Sequence, residues 1–356
     1  MKRLSKLLWL MLISLSFFIT ACDNDDPEPM GKYENGILIA NEGVFGQGNG
    51  SVSFYSFDED TVANEIFKTE NNRPLGDVVQ SLTRTDDLVL IVVNNSNKVE
   101  IVNSDDFKSV ASVEIMKPRY IVEEDDKAYV SSWANGGKVY VISLDSYSIV
   151  DSVAVGSAPE GLIIENDKLY VANSGWGYGQ TVSIVKLADN SIVKELNIDT
   201  DNPLHFVKDD NDMIWILASG RIEYDQNWNV TGHTPSALIQ LNPNTDLLEK
   251  YIRLFDEKHP GKLGINDAGN KIYYGGGWGF QGLYEISTTA TSAPATPLID
   301  ELNYGFVIDH ENDEIFLLQE AYTANGKLIR YKADGTKLGE YTVGIYPTGG
   351  EKRFPN

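Results

Sequence analysis

The chain has 356 residues, with 29 Lys and Arg against 52 Asp and Glu and a formal charge of −23 at pH 7. A field of that sign repels polyanions, which excludes nucleic acid and disfavours an anionic membrane surface as partners. Apolar residues at 42% suffice for a packed core, and a single Cys excludes an intramolecular disulfide and a Cys-rich zinc site.

Lys2, Arg3 and Lys6 precede an apolar run from Leu7 to Ile19, followed by Thr20, Ala21 and Cys22. As a helix that run rises only about 20 Å, short of a ~30 Å hydrocarbon core, so residues 1–21 read as a secretory signal peptide. Ile19-Thr20-Ala21-Cys22 resembles the bacterial lipobox, in which the Cys is lipidated and becomes the new N-terminus. Cleavage there removes three bases and no acids, leaving a charge of −26. Residues 22–35 then form a flexible tether, acidic and Pro-bearing from Asp23 to Pro29. Acids placed directly after a lipidated Cys resemble a signal for export to the outer face of the outer membrane. The other reading is a solvated linker on the periplasmic side.

From residue 36 to 356 a short pattern returns. Asp167-Lys-Leu-Tyr-Val-Ala-Asn173 is echoed by Asp126 to Ser132 and Asn270 to Gly275, with weaker copies at Gly36 to Asn41, Leu88 to Asn94, Met213 to Ala218 and Glu314 to Gln319. A second marker gives the same count: Pro74, Pro118, Pro159, Pro203, Pro260 and Pro347, with Asn303 filling the missing phase. Two independent markers with one spacing of about 45 residues define seven repeats. One unit reads as strands over 161–165, 168–173, 181–187 and 192–198, with β-branched alternation and short polar turns. Four antiparallel strands per repeat predict an all-β, seven-bladed β-propeller. Residues 36–69 supply only three strands and Gly349 to Phe354 one more. The C-terminal strand is therefore expected innermost in the first blade, closing the ring.

Antiparallel order places the Pro loops and the loops between second and third strands on one face. Those loops are long, and four of the five Trp beyond the signal peptide fall in them: Trp133, Trp176, Trp228 and Trp278. Phe45, Tyr178, Tyr224, Phe280 and Tyr322 join them there. These rings either offer flat surface to a large ring-bearing or sugar-like ligand, or cap the blade ends. The Pro loops add Arg73, Arg119, Tyr120, His205, Lys262 and Tyr304 at the inner rim. The cations suit amide, phosphate or carboxylate groups on a ligand, or pair with neighbouring acids such as Asp77 and Glu123.

Catalytic constellations are missing. The four histidines, His205, His233, His259 and His310, form no ligand pair, and neither a nucleophile elbow nor a phosphate loop is present. The acidic runs at 23–26 and 209–212 lack the spaced ligands of a Ca²⁺ loop and read as solvated turns. The chain thus reads as a non-enzyme with no catalytic residues, no metal site and no cofactor.

Lys127 to Val130 and Ser157-Ala-Pro-Glu-Gly161 to Asn173 resemble the YncE-like, surface-layer-type propeller repeat. Asn41 to Tyr55, Asn72 to Ser81 and Lys117-Pro-Arg-Tyr-Ile121 resemble the cell-surface propeller lipoproteins of Gram-negative gut bacteria, which include BtuG-type proteins. The resemblance spans essentially the whole mature chain. It implies a lipid-anchored outer-membrane protein that captures cobalamin, as transported ligand rather than cofactor, and passes it to a TonB-dependent transporter. His205 then stands either as a cobalt ligand or as an ordinary rim histidine. Two other classes remain open: an adhesion propeller binding a protein or glycan, and a propeller hydrolase or lyase.

Overall fold

The computed structural model describes residues 31–309 and 314–353, excluding the side chains of 352 and 353. Residues 1–21, expected to be a signal peptide, Cys22, the expected tether as far as Met30, His310 and Phe354 lie outside the described residues. From Gly36 onward seven four-stranded antiparallel sheets are built one after another, each from consecutive strands except the first and the fifth. Their inner strands are Val79–Arg84, Pro118–Glu124, Pro159–Glu165, Pro203–Lys208, Lys262–Ile265, Gly305–Asp309 and Pro347–Arg353. Each packs beside the next, and the last packs beside the first, so the expected seven-bladed ring is closed.

Burial explains the strand sequences. The second strand of a blade lies between two neighbouring blades and is dry on both faces, so Leu88–Val93 reads Leu-Val-Leu-Ile-Val-Val and is buried from Val89 to Val93. Each such side chain contributes about 1.5–3 kcal/mol. Outermost strands have solvent on one side, and Ser109–Glu114 alternates accordingly.

Closure occurs in the first blade, whose order from outside inward is Thr61–Ala63, Ser51–Ser56, Gly36–Asn41 and Pro347–Arg353. Gly350 pairs with Ile39 and Glu351 with Leu38, so both ends of the ring share one sheet and the inner edge of Gly36–Asn41 is paired. Polar contacts across the last and first blades reinforce the seam. Arg330 forks onto Glu314 and donates to the Tyr55 hydroxyl at 3.0 Å, which donates to Asp60 at 2.6 Å.

Entry to the inner strands follows one device in five blades. A residue in left-handed backbone precedes the strand: Val78 (φ 59°), Lys117 (47°), Ala158 (46°), Asn202 (64°) and Tyr346 (52°). Its carbonyl accepts the first N–H beyond the second strand, from Asn94, Trp133, Ser174, Ser219 and Glu42 respectively, at 2.8–3.1 Å. Val79 therefore occupies the place of Pro118, Pro159, Pro203 and Pro347. The proline spacing predicts Pro74 there. Pro74 instead lies in the connection that follows a short helix, Ile66–Asn71, and the true phase carries no proline. A further departure lies in the fifth blade, where the long loop folds into a hairpin of Ile222–Tyr224 and Val230–His233.

The closing strand must approach its partner closely. A Cβ on Gly350 would lie 2.2 Å from the Leu38 carbonyl oxygen and 3.1 Å from Val307. Gly350→Val is expected to cost roughly 3 kcal/mol, the upper range for overpacking, measured by urea unfolding. An unchanged midpoint would mean the seam does not govern stability.

Candidate functional site

Two places after each left-handed entry residue come Gln80, Arg119, Glu160, Leu204 and Thr348, and all five line one cavity. The sixth and seventh blades add Lys262 and Tyr304. The cavity, about 660 Å³, opens at the central mouth on the long-loop face, and Phe45, Trp133, Trp278 and Tyr346 from the loops form its upper walls.

Its charges are mostly matched within the protein. Arg119 donates from Nε to Glu160 at 3.0 Å and from a terminal nitrogen to the Gln80 amide oxygen. Glu160 also accepts from the Trp133 indole at 3.2 Å, and the Arg119 guanidinium lies 3.9 Å from the centre of that ring. Burial pushes the Glu160 carboxyl up, against the pull of Arg119. Lys262 donates to the Thr348 hydroxyl at 3.0 Å, and Tyr304 to Glu42 at 3.1 Å. Burial, and then the nearby Glu42 charge, push the Tyr304 phenol up. His205 packs edge-on against Tyr120 with centroids 5.0 Å apart. Its pKa is pushed down to about 3, by burial first and the Lys262 charge second, so it is neutral at physiological pH.

Around the mouth stand aromatic loop tips. Trp176 lies 4.4 Å from Trp133, and Tyr322 packs edge-on to Trp278 at 5.2 Å. Tyr224 and Trp228 form a tilted pair on the hairpin of the fifth blade, and Tyr178 lies under the Arg221 guanidinium at 4.7 Å. Trp176, Trp228 and Tyr322 are 57%, 81% and 62% exposed, and all three adopt left-handed backbone, at φ 60°, 63° and 53°. For bulky residues that conformation costs roughly 1–2 kcal/mol. The matching turn of the third blade shows the unstrained solution: Asn135 (φ 55°) stands where Trp176 stands in the fourth, and Asn tolerates that backbone.

Of the candidate residues, Phe45, Arg119, Tyr120, Trp133, His205, Lys262, Trp278 and Tyr304 line the mouth. Trp176 and Tyr322 touch it through ring contacts. Tyr178, Tyr224 and Trp228 stand exposed and do not line it. Two need correction. Arg73 is remote from the mouth, engaging the buried Glu100 at 2.5 Å and lying over Phe67. Phe280 is 6% exposed because its loop turns back onto Phe255 and Tyr284. Gln80, Glu42 and Tyr346 were missed. Placing the second blade's phase at Val79 instead of Pro74 puts Gln80 at the lining position, where Pro74 would put Leu75, and takes Arg73 away from the strand entry. Among the described residues, no three His, Cys, Asp or Glu side chains form a metal-holding group.

Residues 35–244, more than half of the chain, match the family described as "Domain of unknown function (DUF5074)". The chain belongs to this family. No curated protein matches it. Among solved structures, a functionally unknown protein from Desulfotomaculum acetoxidans is 14% identical with a TM-score of 0.65, covering 90% of this chain and 100% of its own. The Pseudomonas aeruginosa periplasmic gluconolactonase PpgL is 12% identical at TM-score 0.64, covering 89% and 98%. Kuenenia stuttgartiensis hydrazine synthase is 13% identical at 0.62, covering 75% and 87%. At such identities these likenesses show the propeller fold of the DUF5074 chain and nothing finer.

Two outcomes test the site's physics. Trp176→Asn should raise unfolding stability by about 1 kcal/mol, by releasing backbone strain. A fall would show the ring to be a structural cap. His205 has a folded pKa below its ordinary 6.5, so the unfolded chain binds the extra proton. Its contribution is complete above pH 6.5 and is lost as pH falls toward 3. The slope cannot exceed the ~1.4 kcal/mol per pH unit of a single proton. His205→Phe should flatten stability against pH across that window, and an unaltered slope would contradict the assignment.

Proposed function

We propose that this DUF5074 chain is a non-catalytic capture protein, binding a large ring-bearing small molecule on its long-loop face. Cobalamin and related corrinoids are the first candidates. One observation carries the reading: a cavity of about 660 Å³ is walled by Phe45, Trp133, Trp278 and Tyr346, and the strained, exposed rings of Trp176 and Tyr322 pack against Trp133 and Trp278. Folding alone favours Asn or Gly at such turns, so keeping Trp and Tyr there costs stability. Ligand contact is the return that accounts for that cost.

The lining suits a macrocycle fringed with amides. Trp133 and Trp278 offer flat apolar walls, while Lys262, Gln80 and the Tyr304 hydroxyl supply polar partners at the rim. The strongest charges, Arg119 and Glu160, already satisfy each other, which favours holding a neutral ligand over acid–base chemistry on it. In this reading His205 serves as a rim histidine, packed on Tyr120 beside the Lys262 charge. The corrinoid assignment draws on the resemblance of Asn41 to Tyr55 and Lys117 to Ile121 to surface cobalamin-binding propellers. The lipobox-like Ile19 to Cys22 and the acidic tether support anchorage at the outer membrane, facing outward, with delivery to a TonB-dependent transporter.

Calorimetric titration of residues 31–356 with cyanocobalamin is expected to give tight one-to-one binding. Trp133→Ala and Trp278→Ala should each weaken it by about 1–3 kcal/mol. An adenine-lacking corrinoid run alongside reports whether the nucleotide loop is read. Absence of heat at protein near ~100 μM would remove corrinoids as the ligand, since capture needs far tighter affinity.

A further inference from the structure

Beside the mouth, and separated from it by Trp278 and Tyr304, lies a second cavity of about 530 Å³ between the sixth and seventh blades. Its chemistry differs from that of the mouth. No basic side chain lines it, and its polar groups present acceptors. Gln281 directs its amide nitrogen to the Asp300 carbonyl (3.2 Å) and carboxylate (2.8 Å). Asn303 directs its own to the Gly282 and Glu301 carbonyls, at 3.1 and 3.3 Å. Gln319 donates to the Leu302 carbonyl at 2.9 Å. Gln281 and Asn303 thus make two nitrogen contacts with the protein and Gln319 one, which leaves chiefly the amide oxygens of Gln281 and Gln319 as acceptors for a ligand. The Asn303 oxygen is buried and has no partner. Glu301 and Glu320 add two carboxylates, and Glu320 is held in place by the Tyr322 backbone N–H at 2.9 Å.

At the rim, Trp278 and Tyr322 meet nearly at right angles, 83° between planes, forming an open aromatic corner. Tyr322 keeps its ring there despite its left-handed backbone. A ligand matching this site needs an apolar face to lie on an aromatic ring, several hydrogen-bond donors, and no negative charge. A pyranose or furanose ring has the C–H face and the hydroxyl donors together. We infer that the cavity between the sixth and seventh blades is a saccharide site, taking a neutral sugar ring against Trp278 and Tyr322 with its hydroxyls donating to Gln281, Gln319 and Glu301. The sugar comes either from a free glycan or from the sugar-bearing arm of a ligand seated in the mouth.

Saturation-transfer NMR on the full-length protein, with the methyl glycosides of glucose, mannose and galactose, tests this directly. At about 10 mM sugar, ten times the millimolar dissociation constant of a single-ring contact, at least one glycoside should receive saturation on its ring protons. Tyr322→Ala should abolish the transfer. Glu301→Ala with Gln319→Ala should weaken binding about tenfold, as expected for two lost hydrogen bonds. These side chains are exposed or partly exposed and outside the core, and circular dichroism of the variants checks that the fold is kept. Glucuronate should bind more weakly than the neutral sugars. Transfer to none of the glycosides, stronger transfer to choline than to any sugar, or full transfer in Tyr322→Ala would each overturn the proposal. Repeating the glycoside experiment with cyanocobalamin present separates the sources: competition marks an arm of the mouth's ligand, and undisturbed transfer marks a free glycan. Glu301 and Gln319 do not line the mouth, so failure here leaves the capture reading to its own titration.

Discussion

The pairing of Pro347–Arg353 with Gly36–Asn41 is the contact on which the rest of the molecule depends. The second strand of every blade is apolar on both sides, and only a complete circle keeps both sides dry. Were the first blade to lose its inner strand, the Gly36–Asn41 edge would be exposed and the ring of inner strands broken. The inner strands also hold the mouth's floor, because Gln80, Arg119, Glu160, Leu204 and Thr348 lie at one level only while their strands stand side by side. Stability and site geometry are thus set by the same seam.

Within that frame the long-loop face carries two kinds of strain with different meanings. At the strand entries, left-handed residues recur in five blades with the same hydrogen bond, whatever the side chain. That is architecture: the chain must turn sharply to descend the channel, and Val78 or Tyr346 pays as Asn202 does. At the loop tips the strain varies by residue. The turn holding Asn135 in one blade holds Trp176 in the next, with almost the same φ. The contrast between Asn135 and Trp176 at one turn position shows that at the loop tips the residue type, not the architecture, sets the strain.

Much of this was legible in the sequence, for a physical reason. Repeats of one length, marked by both proline and an apolar tetrad, leave few architectures, and a three-stranded first unit with one spare strand at the far end implies closure. The second blade was misphased because Val78–Val79 carries the backbone turn without a proline. That single slip selected Arg73, which neutralises Glu100, and passed over Gln80, which lines the mouth. Phe280 was read as a surface ring because loop membership does not reveal which way a loop folds, and its partner Phe255 is 25 residues away in another blade. Nor does local pattern reveal that Glu42 receives the Tyr304 hydroxyl across 262 residues. Such pairings exist only once the ring is closed.

A crystal structure of residues 31–356 grown with cyanocobalamin is the most direct test of the central claim. The account predicts a corrin ring seated at the mouth, with a face on Trp133 or Trp278, amide arms meeting Lys262 or Tyr304, and Arg119–Glu160 still paired. Density for the corrin away from the long-loop face would contradict it, and so would a mouth that holds no corrin at all.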